Sequence, residues 1–135
     1  MDSTYLRYSY VQFITEHLAD CSRVFRGDLQ EMLVLAVIGQ HAMDEMLGAR
    51  ADKGPRSGGS GMSASRIADV TGIPRETVRR KLRSLAGRGW VEQHRSSSWR
   101  LVFKDGRSVA GVQLAELDAR GIERAEHFLK SVARR

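Results

Sequence analysis

Between Ser63 and Glu92 the chain reads SASRIADVTGIPRETVRRKLRSLAGRGWVE, and the side chains able to do chemistry there are mostly cations on one predicted helix. From Arg75 to Ala86 the apolar residues Val78, Leu82 and Leu85 are spaced four and three, which defines a buried face. The other faces carry Arg75, Glu76, Thr77, Arg79, Arg80, Lys81 and Arg83. So many like charges repel one another on a solvated helix, and a polyanion removes that repulsion. An arginine fork matches the O6 and N7 acceptors of guanine, and a glutamate can accept from the cytosine amino group. Arg75, Glu76 and Arg80 are therefore candidate base contacts in the major groove of double-stranded DNA. Ser63, Ser65, Thr77, Arg79 and Lys81 suit phosphate contacts that set register. An ion pair with Arg79 or Arg80 is the alternative use of Glu76.

These residues need a scaffold, and local signals supply one. Ser63 can cap a short helix over residues 64–70 that turns Ile67 and Ala68 inward. Thr71-Gly72-Ile73-Pro74 then supplies a tight turn: Gly72 permits a positive φ, Ile73 plugs the angle between helices, and Pro74 opens the next helix. Gly87 and Gly89 end that helix, and Trp90 begins a strand. Two hairpin tips are possible beyond it. Ser96-Ser97-Ser98 would pair residues 90–94 with 99–103, and Asp105-Gly106 would pair 99–104 with 107–112; both together make a small meander. Arg95 and Arg100 flank the first tip, Lys104 and Arg107 the second. All four are candidate wing contacts that enter or flank the minor groove.

The flanking segments are helical in pattern. Residues 4–25 place Leu6, Tyr10, Phe13, Ile14, Leu18, Cys21 and Phe25 on one stripe. Gly27 closes that helix, and Asp28 with Glu31 forms an Asp-x-x-Glu variant of the capping box for a second helix over 29–47. The second helix is apolar nearly all round, which predicts a central place in a core. Residues 51–61, ADKGPRSGGSG, read as a flexible linker. A last helix over 117–133 carries Ile122, Ala125, Phe128, Leu129 and Val132 on one face.

Charge follows the same division. The chain has 135 residues and a net charge of +6. Residues 1–61 hold 6 Lys/Arg against 8 Asp/Glu, residues 62–107 hold 11 against 4, and residues 108–135 hold 5 against 4. The positive excess thus coincides with the helix-turn-helix pattern, where counterion release on phosphate binding would use it. The single cysteine, Cys21, has no internal disulfide partner and no zinc-ligand spacing. His17, His41, His94 and His127 form no i,i+4 pair, so no metal is expected, and no cofactor-binding pattern stands out. No phosphate loop, catalytic triad or apolar-set carboxylate pair is evident, which argues against an enzyme. The absence of a signal sequence or a long apolar run predicts a soluble, cytoplasmic protein with no membrane span.

The string Ile73-Pro74-Arg75-Glu76-Thr77-Val78-Arg79-Arg80-Lys81-Leu82 resembles the recognition helix of the catabolite activator (CRP) family, over about twenty residues. In that motif the first Arg, the Glu and the second Arg read bases, which correspond to Arg75, Glu76 and Arg80. The order of elements over nearly the whole chain, with a closing helix introduced by Leu117-Asp118-Ala119-Arg120-Gly121, is similar to the multiple-antibiotic-resistance regulator (MarR) family. That resemblance implies a homodimer built by the first and last helices, a repressor of transcription, and a small-molecule effector. It also implies that Cys21 is a possible redox sensor, although its place on the apolar stripe with Leu18 and Phe25 fits an inert buried thiol better.

The expected fold is mainly α with a small antiparallel β wing: a winged helix-turn-helix with dimerising N- and C-terminal helices. Its expected organisation is N-terminal helices over 1–50, a linker over 51–61, the DNA-binding region over 62–113 and a C-terminal helix over 114–135. The function expected is sequence-specific DNA-binding transcriptional regulation. The alternative is a winged helix that docks a protein, or an architectural nucleic-acid binder without sequence preference.

Overall fold

The computed structural model describes residues 3–48, 59–95 and 97–133. Its elements are α1 (Ser3–Val24), α2 (Leu29–Gly48), β1 (Met62–Ser63), α3 (Ala64–Thr71) and α4 (Arg75–Gly87), followed by β2 (Val91–His94) and β3 (Ser98–Leu101). Then come β4 (Phe103–Lys104), β5 (Arg107–Ser108), α5 (Val109–Gln113) and α6 (Ala115–Ala133). The fold is mainly helical with small antiparallel sheets, as a winged helix-turn-helix requires. No described helix is long and apolar enough to cross a membrane.

The chain forms two compact units, residues 1–28 with 114–135, and residues 29–113. The first is an antiparallel pair, α1 against α6. Tyr5 Oη and Ser131 Oγ are 2.6 Å apart at one end, and Phe13 stacks on Phe128 in the middle, with ring centroids 5.6 Å apart. At the other end Asp20, only 2% exposed, accepts from Arg120 Nε and Arg124 Nη1, each at 2.7 Å. The Arg120 hydrogen bond contributes most to holding the Asp20 carboxyl well below the usual carboxylate range. Burial pushes it the other way, and the Arg124 hydrogen bond and the charges of both arginines lower it further. Gly121 admits the His17 ring, because a Cβ there would lie 2.7 Å from His17 Cε1.

In the second unit α2 packs on α3, α4 and β3. It therefore belongs with the helix-turn-helix, whereas the sequence pattern grouped it with the first helix. One face of α2 is buried through Val34, Leu35, Ile38 and Ala42, while Leu33, Met43, Met46 and Leu47 are exposed, so part of its apolar surface is left uncovered by the described residues. Most of the expected linker lies outside the described residues. Its last three positions are fastened: Ser60 Oγ donates to Glu45 at 3.1 Å, the Ser60 carbonyl accepts from Ser98 Oγ at 2.7 Å, and Gly61 lies against the Trp99 carbonyl, where a Cβ would be 2.5 Å away.

Both hairpins form, but not as one continuous meander. Strands β1, β3 and β2 make one sheet in that order, and β4 with β5 makes another. Residues 109–112, expected to extend the last strand, are helical instead, within α5. Ser108 Oγ accepts from the Gly111 amide at 2.8 Å, an N-cap interaction that turns the chain into α5 two residues after the Asp105-Gly106 turn.

Candidate nucleic-acid interface

The helix-turn-helix forms for the local reasons visible in its residues. Ser63 Oγ accepts from the Arg66 amide at 3.1 Å and caps α3. Gly72 closes α3 in the left-handed conformation, φ +77°, with its amide bonded to the Ala68 carbonyl. Thr71 Oγ1 donates to the Ile67 carbonyl at 2.8 Å and accepts from the Ile73 amide at 3.2 Å, which pins the turn at both ends. Ile67 and Ile73 are buried between the helices. Pro74 then precedes the first residue of α4.

On α4 the division of faces is complete. Val78, Leu82 and Leu85 are each 0% exposed, whereas Arg75, Glu76, Arg80 and Arg83 are exposed, and Thr77, Arg79 and Lys81 sit at the margins. With three core anchors fixed, the cationic side has nowhere to turn but outward. Glu76 pairs with Arg79 at 3.2 Å, and Arg80 Nη2 donates to Thr77 Oγ1 at 3.2 Å. The Glu76–Arg79 pair is the alternative the spacing allowed. Exposed i,i+3 pairs of this kind contribute only about 0.3–0.5 kcal/mol, so a stronger acceptor or donor on a base edge outcompetes them. Arg75 and Arg83 make no ion pair among the described residues.

The two hairpins carry the four wing candidates in different ways. Ser63 pairs with Ser98 across β1 and β3, and His94 pairs with Ser98 across β2 and β3. The cap of α3 therefore lies beside the tip that bears Arg95, an exposed residue at φ +60°. Arg100, expected at the same tip, is taken up within the fold: its Nε is 2.9 Å from Glu92 Oε2, and its Nη1 is 3.3 Å from the Gly59 carbonyl. Lys104 and Arg107 are exposed and directly opposite each other in the second hairpin. Both hairpins are rooted at Val102, whose amide donates to the Trp90 carbonyl and whose carbonyl accepts from Val109. The chain enters that root along β3 and leaves along β4. Ser98 and Lys104 are thus about 20 Å apart along the strand path, so the two basic tips belong to separate ends.

Cys21 lies in the α1–α6 unit, 2% exposed, with Sγ 3.5 Å from His17 Nε2. Burial first, and the neighbouring Asp20 charge second, push its thiol pKa up. Both effects oppose the thiolate that reacts with peroxide.

Two buried carboxylates, Asp20 and Glu31, were not singled out from sequence as site or core residues. Each interrupts an apolar helical stripe, and that interruption is the signal for a buried charge with a distant partner. Glu31, read as half of a capping box, is also engaged by Ser84 Oγ at 3.0 Å and Arg88 Nε at 3.3 Å.

Residues 56–95 match the model of the IclR helix-turn-helix domain. The stretch spans β1, α3, α4 and β2 and includes the exposed cations Arg75, Arg80, Arg83 and Arg95. The chain therefore contains a DNA-binding helix-turn-helix domain of the kind found in transcription regulators. The match singles out neither of the two families that the sequence resembles. Comparison with curated proteins and with solved structures gives no match.

Proposed function

We propose that the protein is a sequence-specific transcription regulator, a homodimeric repressor that reads the major groove with α4. The observation that carries this reading is the exposed row Arg75, Glu76 and Arg80 on a helix whose opposite face is wholly buried, within the stretch that matches a helix-turn-helix domain. Arg75 and Arg80 supply forks for guanine, and Glu76 leaves Arg79 to accept from cytosine. Arg79, Lys81, Thr77, Ser63 and Ser65 hold phosphates. Arg95 at the first hairpin tip is the wing contact, because that tip adjoins the capped end of α3.

The dimer reading rests on the α1–α6 pair and on the MarR-like order of elements. Tyr10 and Leu18 of α1 and Ile122 and Leu129 of α6 are exposed. On each helix they follow the inward stripe by a rotation of the same sense, which in an antiparallel pair leads to one common side. A two-helix layer with one apolar side exposed needs a cover, and a second copy offers the same surface in two-fold symmetry.

Selection of bound duplexes from a random pool by the full chain tests the sequence reading and the dimer together. A palindrome with half-sites about one helical turn apart is the expected result. Salt-sensitive binding without sequence preference would establish an architectural role instead, and no binding would favour a protein-docking winged helix. Within the selected site, Arg80→Ala should cost about 1–3 kcal/mol and relax preference at one base pair, whereas Arg79→Ala should weaken all sequences alike and lower the salt slope by about one.

A further inference from the structure

Glu31 is 3% exposed on the inward face of α2, next to Val34, Leu35 and Ile38. Its Oε1 accepts from Ser84 Oγ at 3.0 Å and lies 3.3 Å from Arg88 Nε. Ser84 stands in the last turns of α4, and Arg88 is the C-cap of the same helix. The Arg88 guanidinium also lies 4.8 Å above the Trp90 ring, and the Trp90 indole N–H donates to Gln113 Oε1 at 2.9 Å. One carboxylate of α2 therefore grips the end of α4 farthest from Arg75 and Glu76, at two points a helical turn apart.

A contact between a buried carboxylate and a guanidinium that is 32% exposed is a poor means of adding stability, since an apolar pair of similar volume does as well or better; what it adds is directional fixation. Fixation matters here because α4 acts as a lever. Ser84 is nine residues from Arg75, about 13 Å along the axis, so a 10° tilt about the Glu31 attachment displaces the reading end by about 2 Å. A bidentate arginine on guanine does not survive such a displacement, while a phosphate contact through a long flexible side chain does.

We propose that Glu31 is a positioning residue for sequence reading: through Ser84 and Arg88 it sets the tilt and roll at which Arg75, Glu76 and Arg80 meet the base edges. This rests on α4 being the DNA-reading helix. The residues concerned all belong to the unit of residues 29–113.

The test compares the full-length wild type with Glu31→Gln and Ser84→Ala, measuring Kd on a selected duplex and on a scrambled one, the salt slope on each, and thermal unfolding. The expected result is a loss of roughly tenfold in the ratio of specific to scrambled affinity for Glu31→Gln and roughly threefold for Ser84→Ala. Affinity for the scrambled duplex and the salt slope stay unchanged in both. A residue that only stabilised the fold would lower the melting temperature and weaken both duplexes equally. A folded Glu31→Gln whose ratio stays within twofold of wild type overturns the proposal. If Glu31→Gln does not fold, Ser84→Ala, which removes one hydroxyl, decides on the same ratio. A wild type with no preference for any sequence overturns the reading of α4 itself, and the proposal with it.

Discussion

Replacing Asp20 by Asn removes one charge from the α1–α6 pair and leaves the side-chain shape almost intact. In the wild type, Oδ2 accepts at 2.7 Å from both Arg120 and Arg124, and Oδ1 accepts at 3.0 Å from Arg120 and at 3.4 Å from Arg23. An asparagine keeps one acceptor oxygen and turns an N–H₂ toward guanidinium donors, so part of the network becomes donor against donor. Stripping one partner from a deeply buried pair costs about 3–5 kcal/mol, and an exposed pair contributes about 0–1 kcal/mol. Asp20 is 2% exposed, but its partners Arg120 and Arg124 are 43% and 21% exposed, so water reaches the far side of the network. The expected cost lies between those limits, about 2 kcal/mol at pH 7. For a chain of this size it lowers the melting temperature by roughly 6–10 °C, measured by circular dichroism. The sign of the pH dependence follows from the depressed carboxyl pKa. A folded-state pKa below the unfolded one gives stability that is fully present above the unfolded value near 4 and is lost progressively as pH falls from there through the folded-state pKa. The gap between wild type and Asp20→Asn should therefore hold from pH 7 down to about 5, begin to narrow below about pH 4, and go on narrowing as pH falls toward the still lower folded-state pKa. A variant within about 0.5 kcal/mol of wild type at pH 7, or a gap that does not narrow in acid, would refute this account of the network.

Other substitutions separate the remaining features. Arg95→Ala should weaken DNA binding and reduce its salt slope by about one, while Lys104→Ala with Arg107→Ala should leave both unchanged; the reverse pattern in a fluorescence anisotropy titration would move the wing to the second hairpin. Gly72→Ala meets open space, so its cost is the left-handed backbone alone, about 1–2 kcal/mol in urea unfolding, and a neutral result would count against the αL cap. Native Cys21 should resist a thiol reagent that modifies the unfolded chain at once; rapid native labelling would reopen a sensing role.

What could be read from the sequence was local. Ser63, Gly72, Pro74 and the spacing of Val78, Leu82 and Leu85 each act within one turn of chain, and α3, the turn and α4 lie where those residues place them. The basic face of α4 was legible for the same reason, since a helix with three core anchors has only one outward side. Contacts between distant segments were not legible. Nothing in the α2 pattern distinguishes an apolar face that meets α3 and α4 from one left exposed at Met43 and Leu47. Arg100 reads as a tip cation until Glu92 and the Gly59 carbonyl are seen to hold it. The run Val109-Ala110-Gly111-Val112 reads as strand only by continuation of the Asp105-Gly106 hairpin; Ala110 and Gly111 do not favour a strand, and the hydroxyl of Ser108 caps a helix there instead.

The α1–α6 unit is assembled from segments separated by the entire helix-turn-helix region, residues 29–113. On a ribosome adding about 5–20 residues per second, α1 waits roughly 5–20 s for the helix that covers Phe13 and Asp20. The unit of residues 29–113 is continuous in sequence, so the order of synthesis delivers the helix-turn-helix unit before the helix pair that is proposed to join two copies.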